Sequence, residues 1–219
     1  MYFERENAMS SGADIERLWK LETQINKLVL DGKRDAGLVS DALQKILVQP
    51  QEKFTLLADL GVVIVSDGYV HATQLARFHQ QNYKKFYSVN DDITDTNFQN
   101  PSRILRPGNK LRVVAYKHAA KRLISTSPER LAFLKVKNAC FVGPQGLSLV
   151  FGQKSLLLPK DYWYASFDET HHTWRDPRTD FHRISILDAY SDTSFSFRLS
   201  SFENVWRGDD AFLCFTEVV

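Results

Sequence analysis

A chain of 219 residues with 43% hydrophobic and 12% aromatic side chains carries enough apolar surface for a packed core, which excludes a disordered or coiled-coil polymer. Its 28 basic and 26 acidic side chains nearly cancel, leaving a formal charge of +2, so no chain-wide field draws in nucleic acid or an anionic membrane. No window approaches the ~20 consecutive apolar residues of a bilayer span, so no membrane partner is expected.

The length suits one large domain or two small ones. Residues 1–12 lack the basic start and apolar middle of a signal peptide and read as a flexible leader. The cysteines, Cys140 in ACFV and Cys214 in FLCF, sit in apolar runs where a thiol acts as a small hydrophobe. Two buried free thiols fit a reducing cytoplasm.

Residues 13–90 read as a helical portion. Asp14 can cap a helix whose apolar positions Ile15, Leu18, Trp19, Leu21, Ile25, Leu28 and Val29 share a face, stopped at Asp31-Gly32. Asp35 opens a second helix with Leu38, Val39, Ala42, Leu43, Ile46 and Leu47, ending before Pro50. The outer face of that helix is nearly neutral, so the hairpin reads as a packing or dimerisation element rather than a DNA reader. Val62 to Val65 is a β-branched run that suits a buried strand or a segment under a helix. The stretch from His71 to Tyr87 reads as one helix with Leu75, Phe78, Tyr83, Phe86 and Tyr87 inward. His71 and His79 are eight apart, too far for a metal pair without a third ligand.

Residues 91–109 read as a loop, with Asp91, Asp92 and Asp95 solvated or capping a helix rather than forming a calcium loop. Between Asp95 and Glu129 no acidic side chain occurs. Arg103, Arg106, Lys110, Arg112, Lys117, Lys121 and Arg122 accumulate there, with Tyr116 among them to stack on a base. LRVVAY forms a strand with Arg112, Val114 and Tyr116 on one side and Leu111, Val113 and Ala115 on the other. Ser127-Pro128-Glu129 opens a short helix.

Residues 110–219 are expected to be mainly antiparallel β, organised on the apolar stretch from Asn138 to Glu169. Ala139 to Val142 reads as a strand and Gly143 to Gly146 as a turn. Residues 147–155 fit a return strand or a short helix, and alternation of Leu147, Leu149 and Phe151 favours the strand. Tyr162 to Phe167 carries aromatics on both faces and reads as a central strand. FHRISIL, SFSFRLSSF and AFLCFTEVV supply three more.

QINKLVLDGKRD (Gln24 to Asp35), GPQGLSLVFGQK (Gly143 to Lys154) and LPKDYWYASFDE (Leu158 to Glu169) resemble phrases in conserved uncharacterised proteins of bacteria, candidate-phylum lineages among them. The resemblance implies a bacterial, cytoplasmic protein and transfers no activity and no site residue.

No GxSxG, GxGxxG or GxxxxGK[ST] occurs, so neither a hydrolase elbow nor a nucleotide loop is indicated. His171-His172, with His182 and Asp168 or Asp176, reads as a polar hairpin loop rather than a metal centre, and no cofactor or metal is expected. The expected fold is α+β, an N-terminal helical hairpin and helix packed with or beside an antiparallel sheet. The leading functional expectation is a non-enzymatic binding or interaction module with a protein partner or a second copy of itself. Alternatives are nucleic-acid or polyanion binding through residues 103–122, and a hydrolase or nuclease using His118 or His171/His172.

Overall fold

The computed structural model describes residues 20, 23–25, 27–33, 35, 37, 39, 53–190 and 194–218. The chain divides into two compact units, Met1–Gln51 and Glu52–Val219.

In the first unit, the described residues from 20 to 30 are helical, and the stop expected at Gly32 is present. Gly32 has φ +65°, the Gly32 N–H donates to Val29 O at 3.0 Å and the Lys33 N–H to Leu28 O at 3.0 Å. That pair of bonds is a Schellman cap. Residues 37 and 39 are also helical, while the expected cap at Asp14 and the run from Ala42 to Leu47 lie outside the described residues.

The second unit is built on a mixed, mostly antiparallel sheet. Its strands are β1 (Phe54–Ile64), β2 (Phe86–Val89), β3 (Lys110–His118), β5 (Tyr162–Ser166), β6 (Trp174–Arg175), β7 (His182–Ala189), β8 (Phe195–Ser201) and β10 (Asp210–Glu217). They lie in the order β1-β3-β10-β5-β7-β8-β2, with β6 beside β7. Only the β10–β5 and β2–β8 neighbours run parallel among the described strands. The short strands β4 (Ser125–Thr126) and β9 (Val205–Trp206) form a separate pair. Three α-helices accompany them: α1 (Gln74–Asn82), α2 (Ser127–Val136) and α3 (Gly143–Lys154). The fold is therefore α+β, with helices both N-terminal and central.

Each sheet face is covered by its own apolar cluster. On one, Leu111, Val113, Ala115, Tyr164, Leu187, Leu213 and Phe215 meet Leu75 and Phe78 of α1 and Leu147, Val150 and Phe151 of α3. On the other, Ala165, Phe167, Ile184, Ile186, Phe212 and Cys214 meet Leu131 and Leu134 of α2. Alternation along β3 splits as expected, and β5 is a central strand with both faces engaged. Cys140 and Cys214 are free, and burial pushes the Cys214 thiol up to about 11.

Several expectations are corrected. Residues 54–64 form β1, which takes the strand option for the Val62 to Val65 run and extends it back to Phe54, whereas residues 86–89, read as the end of a helix, form β2; β1 pairs with β3 across the 91–109 loop. The helix from His71 gives way at Phe86 to β2, leaving Tyr83 and Tyr87 exposed. Asp95 caps that helix from a distance, its Oδ1 accepting from the Leu75 N–H and its Oδ2 from the Ala76 N–H, each at 2.9 Å. These are N–H groups a helix start leaves free.

Residues 143–154 form a helix, not a turn and return strand. Every residue from Gly143 to Phe151 is buried, so the helix has no polar face and its periodicity is indistinguishable from that of a buried strand. Only one bridge, Cys140 with Phe215, precedes it. Close approach to β10 depends on Gly146, where a Cβ would lie 2.3 Å from Val142 Cγ2 and 3.0 Å from Phe215 Cζ. At its far end α3 closes the free edge of β1. The Ile64 N–H donates to Gln153 Oε1 at 3.0 Å, and Gln153 Nε2 donates to Ile64 O at 2.8 Å.

Gly146→Ala is expected to destabilise the unit by about 2 kcal/mol through overpacking. A lowered urea midpoint with an unchanged denaturant slope checks it.

Candidate anion-binding cleft

A cavity of about 620 Å³ opens where β3 ends and where β5 and β10 begin. The parallel register of Asp210 with Trp163 sets the starts of β5 and β10 side by side, and antiparallel β3 delivers its last residues to the same place. Four cationic side chains line the cavity: Lys117 from β3, Lys121 from the following turn, Lys160 before β5, and Arg207 before β10. Asp161, Tyr162 and Asp209 complete the polar wall. None of the four cations is ion-paired with a described carboxylate. The Lys117 ammonium donates to the Tyr162 hydroxyl at 3.1 Å and lies 5.4 Å from that ring's centroid, and the Lys160 ammonium sits 4.1 Å from the Phe195 ring centroid.

Two features hold this wall in place. The Arg207–Asp209 turn lies directly on the backbone of Lys121: a Cβ at Gly208 would stand 2.6 Å from both the Cα and the carbonyl oxygen of Lys121. Behind the turn runs a buried polar chain. His118 Nδ1 faces Arg207 O at 2.8 Å, and a carbonyl only accepts, so Nδ1 carries the proton. Nε2 is then an acceptor, taking the Ser125 hydroxyl proton at 2.9 Å. The Ser125 oxygen in turn accepts from Arg130 Nε at 3.0 Å. Arg130, buried completely, donates onward to Asp210 O at 2.8 Å and lies 4.8 Å from the ring centroids of both Trp206 and Phe212.

Burial pushes Arg130 down to about 9, so it remains charged at neutral pH, while the Asp210 carboxylate acts the other way. Burial also pushes His118 below the ordinary histidine value, with the Arg207 carbonyl opposing. The neutral tautomer is the one the bonds require. Asp188 and Asp210 are raised, chiefly by burial, and each also raises or is raised by a neighbouring carboxylate.

The basic residues singled out by sequence are distributed by the nine-residue β3, about 27 Å from end to end. Lys117 and Lys121 reach the cleft. Arg122 is exposed on the same turn. At the other end of β3, Arg103 pairs with Glu217, Arg112 pairs with Asp59, and Arg106 and Lys110 are exposed near Asn109. Tyr116 is packed edge-on against Phe133 at 4.9 Å and stacked beside Phe212, inside the α2 layer. Lys160 and Arg207 escaped the sequence reading because neither belongs to a charge run; only the parallel strand pair brings them to Lys117. His118 borders the cavity but is almost wholly buried, with both ring nitrogens hydrogen-bonded behind the wall.

No protein-family model matches this chain, and no match is found among curated proteins or solved structures. Among the described residues no helix is long and apolar enough to cross a membrane.

Arg130→Met removes the donors to Ser125 and Asp210 O and is expected to cost about 3 kcal/mol, read as a lower denaturant midpoint. His71, His79 and His118 are all depressed, mainly by burial, so on acidification the unfolded chain takes up protons first. Their stabilisation is complete above about pH 6.5 and declines as pH falls toward the lower folded values. Tm measured by calorimetry should therefore drop between pH 7.5 and pH 5.5; a flat or rising Tm would contradict neutral buried imidazoles.

Proposed function

We propose that the protein is a non-enzymatic binder of a phosphate-bearing polyanion, a single-stranded nucleic acid being the ligand class, held at the Lys117, Lys121, Lys160 and Arg207 cleft. The single observation that carries this reading is the convergence of four cations around one cavity, none in a direct ion pair with a described carboxylate and outnumbering the Asp161 and Asp209 side chains on the same wall, whereas Arg103 and Arg112 are each occupied by an acid. Unpaired cations on one wall raise the local concentration of an anion, and displacement of counterions from the ligand supplies the binding free energy. The volume suits one nucleotide-sized segment at a time. A binding role is favoured over nuclease chemistry because both nitrogens of His118 are engaged, one on Arg207 O and one on Ser125, leaving no imidazole lone pair for proton transfer in the cleft.

The test is fluorescence anisotropy with a labelled single-stranded oligonucleotide over a salt series. One nucleotide-sized segment with its two flanking phosphates neutralised corresponds to a slope of log K against log salt of about −1.4 on a single strand. Lys121→Glu with Arg207→Glu should reduce affinity by more than about tenfold at low salt, while Arg112→Glu, on the far end of β3, should leave it within about twofold. Absence of binding at low salt would remove the proposal.

A further inference from the structure

A second polar constellation lies at the opposite end of β5 from the cleft, where Glu169, His171 and His172 follow the strand on a single 3-10 turn, Thr170–His172. The turn is tightly fixed. The His172 and Thr173 N–H groups donate to Glu169 O at 2.8 and 3.1 Å, and the Thr173 hydroxyl donates to Thr170 O at 2.6 Å. The two imidazoles are 4.2 Å apart between centroids, so adjacent residues present their rings to the same side. One ligand-type atom from each of Glu169, His171 and His172 lies within 4.8 Å of the other two, and His171 Nε2 stands 3.7 Å from Glu169 Oε2.

The partners around this group are those of a coordination shell. His172 Nδ1 faces Asn100 O at 2.9 Å. A carbonyl accepts, so Nδ1 carries the proton and Nε2 is left with its lone pair, the arrangement that orients metal-binding imidazoles. Asn100 is kept nearby by Asp168, a buried carboxylate that accepts from the Ser102 N–H at 3.0 Å, the Ser102 hydroxyl, and the Glu169 N–H at 2.9 Å. A cavity of about 360 Å³ beside the turn, bordered by Asn97, Gln99, Trp174 and Arg175, leaves room for solvent on the open side.

We propose that Glu169, His171 and His172 bind a divalent transition cation of the zinc class through one carboxylate oxygen and two imidazole nitrogens, with water completing the coordination. Zinc–nitrogen and zinc–oxygen bonds of ~2.0–2.1 Å in a tetrahedron place ligand atoms ~3.3 Å apart. The His171–Glu169 separation is within half an ångström of that figure, and rotation of the exposed His171 side chain closes the remainder. Two imidazoles and one carboxylate suit a borderline cation and do not suit calcium or magnesium, which favour all-oxygen shells. Lys135 competes for the site: its ammonium lies 3.3 Å from Glu169 Oε1. Cation binding and the Lys135 ion pair are therefore mutually antagonistic.

The experiment uses the untagged full chain, with ZnCl2 followed by calorimetry and CoCl2 followed by visible absorption. The expected result is one cation per chain, with a cobalt spectrum of low coordination number. His171→Ala and His172→Ala should each weaken binding by more than about 100-fold, beyond the loss typical of an outer partner. Glu169→Gln should weaken it as well, while His182→Ala, whose ring is engaged with Glu203, should not. Lys135→Met should tighten binding by up to about fivefold, the upper end of what a solvated ion pair contributes. The last variant separates a true site from scattered surface histidines, because removing a lysine has no reason to favour adventitious binding elsewhere. No cobalt spectrum, or equal affinity in the wild type and the His171 and His172 variants, would overturn the proposal.

Discussion

The arrangement of the cleft depends on one buried charge. Arg130 has no exposed surface, and its guanidinium is met by a hydroxyl, main-chain carbonyls and two aromatic faces, with the Asp210 carboxylate near enough to favour the charged form. Desolvating a cation this fully costs several kcal/mol unless each donor is answered, so the surrounding groups have little freedom to move. One constraint follows from another. The carbonyl of Arg207 sets the tautomer of His118, the tautomer sets the direction of the Ser125 hydroxyl, and the hydroxyl leaves its lone pair to Arg130. Two stretches distant in sequence, residues 118–130 and 207–211, are thereby held to one another by a continuous polar path.

That path lies under a surface where cations outnumber acids, and the two levels are related. The same β3 that contributes His118 inward contributes Lys117 to the cavity, and the same turn that offers Arg207 O to His118 carries the Arg207 side chain outward. Gly208 lets this turn rest on Lys121. Sheet topology does the remaining work, because one parallel neighbour in an otherwise antiparallel region brings two strand beginnings and one strand end to a common edge.

Much of the β portion was legible in the sequence: alternation along Leu111 to Tyr116, aromatics on both faces of Tyr162 to Phe167, and the three C-terminal strands all reflect sidedness that period-two patterns encode directly. The capped start of α2 was legible too, its capping box closed between Thr126 and Glu129. What failed did so for identifiable reasons. Residues 143–151 are buried on every side, Gln145 and Ser148 included, and burial all round erases the distinction between periods. β2 was absorbed into a helical reading and β1 was visible only at its β-branched end, because their mates, β3 and β8, lie far along the chain. Of the cleft, only Lys117 and Lys121 were visible, since a run of like charge can be read locally whereas Lys160 and Arg207 become neighbours only through strand pairing.

The amide of Gln153 at the margin of β1 has a meaning for the molecule's behaviour in company. Val65 turns its own N–H and C=O toward Asn109 and Gly108, so those of Ile64 point the opposite way, outward, where an eleven-residue strand would otherwise offer a template to any passing extended chain. A side-chain amide has the same donor and acceptor as a peptide unit, and by docking there it stands in for the next strand without being one. An extended chain approaching that end of β1 finds the first rung already taken by a side chain, one of the ways sheet edges are kept from pairing with strangers.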